Sequence, residues 1–206
     1  CIITLLDKNK EHYIMKKLQD ILENIDIKSI ESNINWEIDQ RGIASVIEQN
    51  VIDVLSKTSL NIELSKSVKS MADITVNNIP IDIKASDASK KFKMPNLISI
   101  DVLRKKVLDK NLPLIYLFVV YDSNQKKILN IFTRVITELN WDYLHIQNLG
   151  KGQLQIKNFE DFYNSLDKKS KLTENAWKDK LRNESINFYK KLTKKTEKRI
   201  AGWKTW

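Results

Sequence analysis

The feature that most restricts what this chain can fold into is a change of hydrophobic period between Leu60 and Ala85. Before it, Tyr13, Ile14, Lys17, Leu18, Ile21 and Leu22 recur at helical spacing. Ile43, Val46, Ile47, Val51, Val54 and Leu55 repeat the pattern from about Asp39 to Ser56, so two amphipathic helices are expected. The period then becomes two, in Leu60, Ile62, Leu64 and again in Ile74, Val76, Ile79, Ile81, Ile83, which predicts three short strands. Asn77 and Asn78 both tolerate positive φ, as a two-residue hairpin turn requires. Asp73 to Val76 is therefore expected to pair antiparallel with Ile79 to Lys84, with Pro80 suited to an edge or a bulge.

Further along, Pro95-Asn96 reads as the start of a helix to about Lys110, carrying Leu97, Ile100, Val102, Leu103 and Val107. Leu114 to Tyr121 is apolar at consecutive positions, the mark of a strand covered on both faces, and Lys127 to Thr133 reads as its hairpin partner. Val135 to Leu144 is helical or irregular, Gln153 to Lys157 a strand, and Thr173 to about Ala201 a long helix. The expectation is a mixed α/β (α+β) fold with a central sheet flanked by helices. With four Gly and three Pro in the chain, no flexible linker stands out. One domain over residues 1–206 is expected, with a core at about 39–133 and a C-terminal helical part at about 134–206.

The single cysteine can form neither an internal disulfide nor a zinc cluster, which suits a reducing cytoplasm. No apolar run reaches membrane-spanning length and no signal-peptide pattern opens the chain, so no membrane partner is expected. The missing initiator methionine suggests a truncated N-terminus, so Cys1 to Asp7 carry no weight here. The formal charge of +9 is concentrated: Lys168 to Trp206 holds thirteen Lys and Arg against Glu174, Asp179, Glu184 and Glu197, the whole excess. Such a helix is either a solvated basic face or a surface for a phosphate backbone.

The chemistry-bearing group is Asp73, Asp82 and Lys84. Side chains two apart on a strand share a face, and the Asn77-Asn78 turn puts Asp73 almost opposite Asp82. Two carboxylates facing each other destabilise a hairpin but suit a hard divalent cation. Mg²⁺ there could hold a scissile phosphate and acidify a water, with Lys84 orienting that water or stabilising charge on phosphorus. Asp-Ile-Lys occurs twice, but Asp26-Ile27-Lys28 has no upstream acid across a hairpin. Glu48, kept off the purely polar helix face by Ala44 and Ile52, either reaches this site or is a partly buried acid satisfied by Lys or backbone. Asn148, Lys151, Gln153 and Gln155 lie in a polar segment with two glycines, and Asn and Gln can pair bidentately with adenine; a plain surface hairpin is the alternative. Trp177, Phe188, Tyr189 and Trp203 on the last helix suit packing better than base stacking.

Asp82-Ile83-Lys84, followed at the right distance by Phe-Lys-Met-Pro-Asn-Leu-Ile-Ser at Phe92 to Ser99, resembles the type II restriction endonucleases of the PD-(D/E)XK superfamily. Looser likeness extends to Val46-Ile47-Glu48, to Gly152 through Ile156 and to the helix opening near Thr173 and Trp177. Met71-Ala72 stand where that family has proline before the first aspartate. The resemblance implies a restriction-endonuclease-like core in a homodimer that cuts both strands of duplex DNA at a short palindrome, with Mg²⁺, leaving blunt 5′-phosphorylated ends. It implies a bacterial, cytoplasmic restriction-modification setting with a cognate DNA methyltransferase. Carried over by position, Asp73 and Asp82 become metal ligands and Lys84 the catalytic lysine, while Ser86, Ser89, Lys90, Lys91, Lys93 and Asn96 become DNA contacts. With only His12 and His145, a His-Asn-His nuclease is disfavoured. Rival readings are another nuclease of the same superfamily (junction resolvase, repair nickase, toxin domain) and a non-catalytic DNA-binding protein.

Overall fold

In the computed structural model the described residues are 2–65, 71–89, 95–147, 152–165 and 169–206, with side chains from Tyr13 onward. The chain runs α1 (Ile2–Glu23), α2 (Ile27–Glu31), α3 (Gln40–Ser56), β1 (Ile62–Leu64), β2 (Ile74–Val76), β3 (Ile79–Asp87) and β4 (Asn96–Ser99). It continues through a helical turn α4 (Ile100–Val102) into a π-helical segment (Leu103–Leu108), then β5 (Ile115–Asp122) and β6 (Lys127–Val135). Two 3-10 turns, Ile136–Glu138 and Trp141–Tyr143, lead to β7 (Leu144–Gln147), β8 (Gln153–Ile156), α5 (Phe159–Asn164) and α6 (Glu174–Lys204). The fold is mixed α/β, in two units: residues 1–93 with 113–136, and residues 94–112 with 137–206.

The first unit is built on a mixed sheet of order β1-β2-β3-β5-β6, in which β3 and β5 are parallel and the other neighbours antiparallel. Asn77 (φ 50°) and Asn78 (φ 67°) make the expected tight turn, and Val76 pairs with Ile79 and Ile74 with Ile81. Asp39 starts α3 by accepting the N–H groups of Arg41 and Gly42, which the first helical turn leaves without partners. Ile43, Ile47, Val51 and Leu55 of α3 form one core with Ile74, Ile81, Ile83, Leu117 and Val119 of the sheet. Each such side chain contributes roughly 1.5–3 kcal/mol by leaving water. Strand β5 is buried at every position, as its consecutive apolar residues require.

Pro80 sits in an inner strand rather than at an edge or bulge, opposite Thr75. Its position in the ladder explains this. Ile79 and Ile81 face β2 with their N–H groups, so residue 80 would direct an N–H toward β5, whose pairing with β3 begins only at Ile81. The missing donor therefore breaks no bond.

The second unit has an antiparallel sheet of order β4-β8-β7. The helix expected from Pro95-Asn96 to Lys110 starts later: residues 96–99 are strand β4, paired with β8, and helical structure spans only Ile100 to Leu108. Apolar residues at helical spacing do not decide between helix and strand when a partner strand offers backbone hydrogen bonds. Strand β7 and helix α5 were not expected from the sequence. Gln147 and Gln153 pair at the end of the antiparallel β7–β8 ladder. Gly152 has φ +73°, and an added Cβ would come within 2.9 Å of Ile100, so close packing there requires glycine. Trp177 anchors the start of α6, fully buried, donating its indole N–H to the Leu139 carbonyl at 2.8 Å and lying 5.3 Å from the Trp141 ring. No helix among the described residues is long and apolar enough to cross a membrane.

Candidate active site

The candidate centre lies where the pairing with β2 stops and β3 runs on. Strand β2 begins only at Ile74, so the N–H groups of Ile83 and Ala85, beyond that point on the β3 edge that faces β2, have no strand partner. Two acids take them instead. Asp73 Oδ2 accepts the Ile83 N–H at 2.7 Å and Glu48 Oε1, from α3, accepts the Ala85 N–H at 3.3 Å. Asp73 is itself held by its own N–H donating to the Ile81 carbonyl at 3.1 Å. Between these acids, Asp82 and Lys84 share one face of β3, with Lys84 Nζ 2.7 Å from Asp82 Oδ2. Asp73, Asp82 and Lys84 are thus brought together within one unit, and Glu48 beside them is a half-buried acid satisfied by a backbone N–H, the second of the two readings of that residue.

Electrostatics make this group costly to assemble. Burial pushes the Asp82 carboxyl up to about 7, the charge on Asp73 raises it further, and Lys84 opposes both. Burial works against the Lys84 ammonium, but Asp82, Asp73 and Glu48 outweigh it and raise its pKa. Glu48 is raised by burial and by Asp73, against Lys84 and the Ala85 N–H. Lys84 at 2.7 Å is the partner of the buried Asp82 Oδ2, and a carboxylate oxygen with two lone pairs has room for a second.

That buried carboxylate, paired with a single ammonium, is the observation against which a cation can be tested. Among the described residues no three His, Cys, Asp and Glu side chains form a ready-made metal cage. Mg²⁺ does not need one, since it keeps several waters and commonly takes one or two carboxylates together with substrate phosphates. Asp73 and Asp82 fit that requirement. Lone pairs on Asp82 and a pair of mutually repelling carboxylates are what a small hard cation would satisfy.

The expected nucleic-acid contacts are placed less uniformly. Ser86 is buried on β3. The Ser89 hydroxyl donates to Asp87 at 2.8 Å and lies 3.0 Å from Ser123 Oγ, within a cluster in which Ser123 also donates to Asp87 at 2.6 Å. These hydroxyls are engaged inside the protein, a tie between the end of β3 and the β5–β6 turn that sequence reasoning missed. Asn96 is exposed on β4 and accepts a hydrogen bond from Gln155, its register partner on β8; Gln155 is buried and Gln153 half-buried. Lys90, Lys91, Lys93, Asn148 and Lys151 lie outside the described residues.

Sequence reasoning also missed Tyr116. It is the Cα partner of Asp82 across the parallel β3–β5 pairing, and is fully buried. The available signal was a hydroxyl in the otherwise apolar run from Leu114 to Val120. Neither a model of a known protein family nor a curated protein sequence matches this chain.

Proposed function

We propose that this chain is a Mg²⁺-dependent DNA endonuclease with a restriction-endonuclease-like core, acting as a type II restriction enzyme. The observation that carries the reading is the convergence of Asp73, Asp82, Glu48 and Lys84 on the free edge of β3, with the Asp82 carboxylate buried against the Lys84 ammonium. A fold gains nothing from three acids gathered around one lysine in a half-buried site; a phosphodiesterase does.

Asp73 and Asp82 are the residues that would hold the ion, and when bound it supplies the positive charge that draws in a phosphate and makes a nearby water more acidic. Asp73 is oriented for this by the Ile83 N–H, which fixes one carboxylate oxygen. Lys84, kept protonated by the three acids, orients the attacking water and stabilises charge building on the phosphate oxygens. Glu48, tied to the Ala85 N–H, adds a negative charge that favours the Lys84 ammonium. Cutting two antiparallel strands symmetrically calls for a two-fold homodimer on a short palindrome.

The test is incubation of the purified protein with phage DNA, with and without Mg²⁺. Discrete fragments with Mg²⁺ alone are expected, carrying 5′-phosphate and 3′-hydroxyl ends. A smear would indicate a nuclease without sequence preference, and intact DNA would reject the enzymatic reading.

A further inference from the structure

We infer that Tyr116 is a positioning residue of this centre, its hydroxyl taking over from Lys84 as the partner of the Asp82 carboxylate when that carboxylate turns toward a divalent cation. The inference rests on the reading of Asp82 as a cation ligand. Asp82 on β3 and Tyr116 on β5 are register partners on neighbouring strands, so their side chains leave the same face of the sheet; Asp82 Oδ2 is held by Lys84 at 2.7 Å, and the buried Tyr116 hydroxyl has no hydrogen-bond partner. Tyr116 is fully buried and Asp82 is 7 % exposed, so water does not serve either of them freely.

A buried hydroxyl without a partner is unfavourable, and phenylalanine would fill the same volume without that penalty. Stacking on Phe118, with centroids 5.8 Å apart, fixes the tyrosine ring and hence the direction of its oxygen. Burial first, then the charges of Asp82 and Asp73, keep the phenol protonated, so it is a donor whenever the enzyme works. In the resting protein Lys84 neutralises Asp82. A lysine that is to orient water and phosphate must leave that ion pair, and Tyr116 is the donor placed on the adjacent strand to satisfy the carboxylate oxygen it releases. A group of this kind fixes how a ligand carboxylate points, and loss of such a group commonly weakens cation binding about 10- to 100-fold.

The test is Tyr116→Phe, with Mn²⁺ binding read from the free-ion spin-resonance signal in the absence of DNA, and thermal unfolding measured without cation. Mn²⁺ affinity at least about tenfold weaker is expected, with an unfolding temperature equal to or above that of the parent because the hydroxyl had no partner to lose. Cleavage by the variant should be restored by raising Mg²⁺. Unchanged Mn²⁺ affinity overturns the inference, as does a lowered unfolding temperature with unchanged affinity, which would show the hydroxyl already bonded in the resting fold. Asp82→Asn separates the two readings. If that variant loses Mn²⁺ binding while Tyr116→Phe does not, only the role of Tyr116 falls; if it binds Mn²⁺ like the parent, or the parent binds none, the metal centre falls with it.

Discussion

At the scale of single residues, the candidate centre holds more charge than burial favours, and its pH response follows. The Asp82 carboxyl is raised to about 7, so below that value a proton occupies the group that would take the cation. Proton and cation compete. The Mg²⁺ concentration for half-maximal cleavage should therefore rise by about tenfold per pH unit below 7 and level off above it. A requirement that stays constant from acid to alkaline pH would remove Asp82 from the cation site. For stability the sign is opposite to that of an ion-paired surface acid. Because the folded-state value lies above the ordinary 3.8, the contribution of Asp82 to folding is full below that value and falls as pH rises through about 7. Asp82→Asn should flatten the dependence of unfolding free energy on pH across this window. Lys84→Ala should reduce cleavage by at least about a hundredfold while leaving sequence-specific DNA binding intact; near-normal turnover by that variant would sink the assignment.

At the scale of elements, local backbone demands set the prices of substitution. Asn78 holds φ 67° in the turn that brings Asp73 to Asp82. Asn78→Ala should lower stability by about 1–2 kcal/mol, whereas Asn78→Gly should be close to neutral, as chemical denaturation would show. A neutral alanine variant would mean that the turn can relax without cost. Helix α6 poses a different question, since Trp177 and Leu181 are its buried residues and its later turns, with Ile200, Trp203 and Trp206, are exposed. Lys190, Lys191, Lys194, Lys195, Lys198, Arg199 and Lys204 are balanced there only by Glu197, so helix propensity rather than a core stabilises this stretch. If this stretch meets a phosphate backbone, DNA affinity falls steeply with salt. Replacing Lys194, Lys195, Lys198 and Arg199 with glutamine should then reduce the logarithmic salt slope by about 3–4. An unchanged slope would place α6 away from the nucleic acid.

At the scale of the whole molecule, the proposed centre, one Asp-Ile-Lys strand per chain, would cut one phosphodiester, so duplex cleavage predicts a two-fold dimer. Sedimentation of the protein with its target DNA in the absence of Mg²⁺ should give two chains per duplex, and one chain per duplex would favour a nicking activity. Much of the first unit was legible because its signals are local. Period-two alternation, an Asn-Asn turn and a run of consecutive apolar residues specify a hairpin and a strand covered on both faces, and the hairpin register then aligns Asp73 with Asp82. Elsewhere the controlling partners are distant in sequence. Residues 96–99 become a strand because β8, more than fifty residues later, supplies its hydrogen bonds. Pro80 is accepted inside the sheet because β5 begins pairing one residue beyond it. Glu48 lies beside the centre because β2 begins only at Ile74 and leaves the Ala85 N–H to be taken by a side chain from α3. Tyr116 faces Asp82 only through a parallel pairing that no local pattern encodes. The sequence by itself determined the alternating strand, its turn and the two charged residues on one face, since backbone geometry and nearest neighbours suffice for those. Which backbone groups remain for side chains to occupy, and which distant residue lies beside the carboxylates, was decided by the tertiary structure, because strand ends and register are set by partners far along the chain.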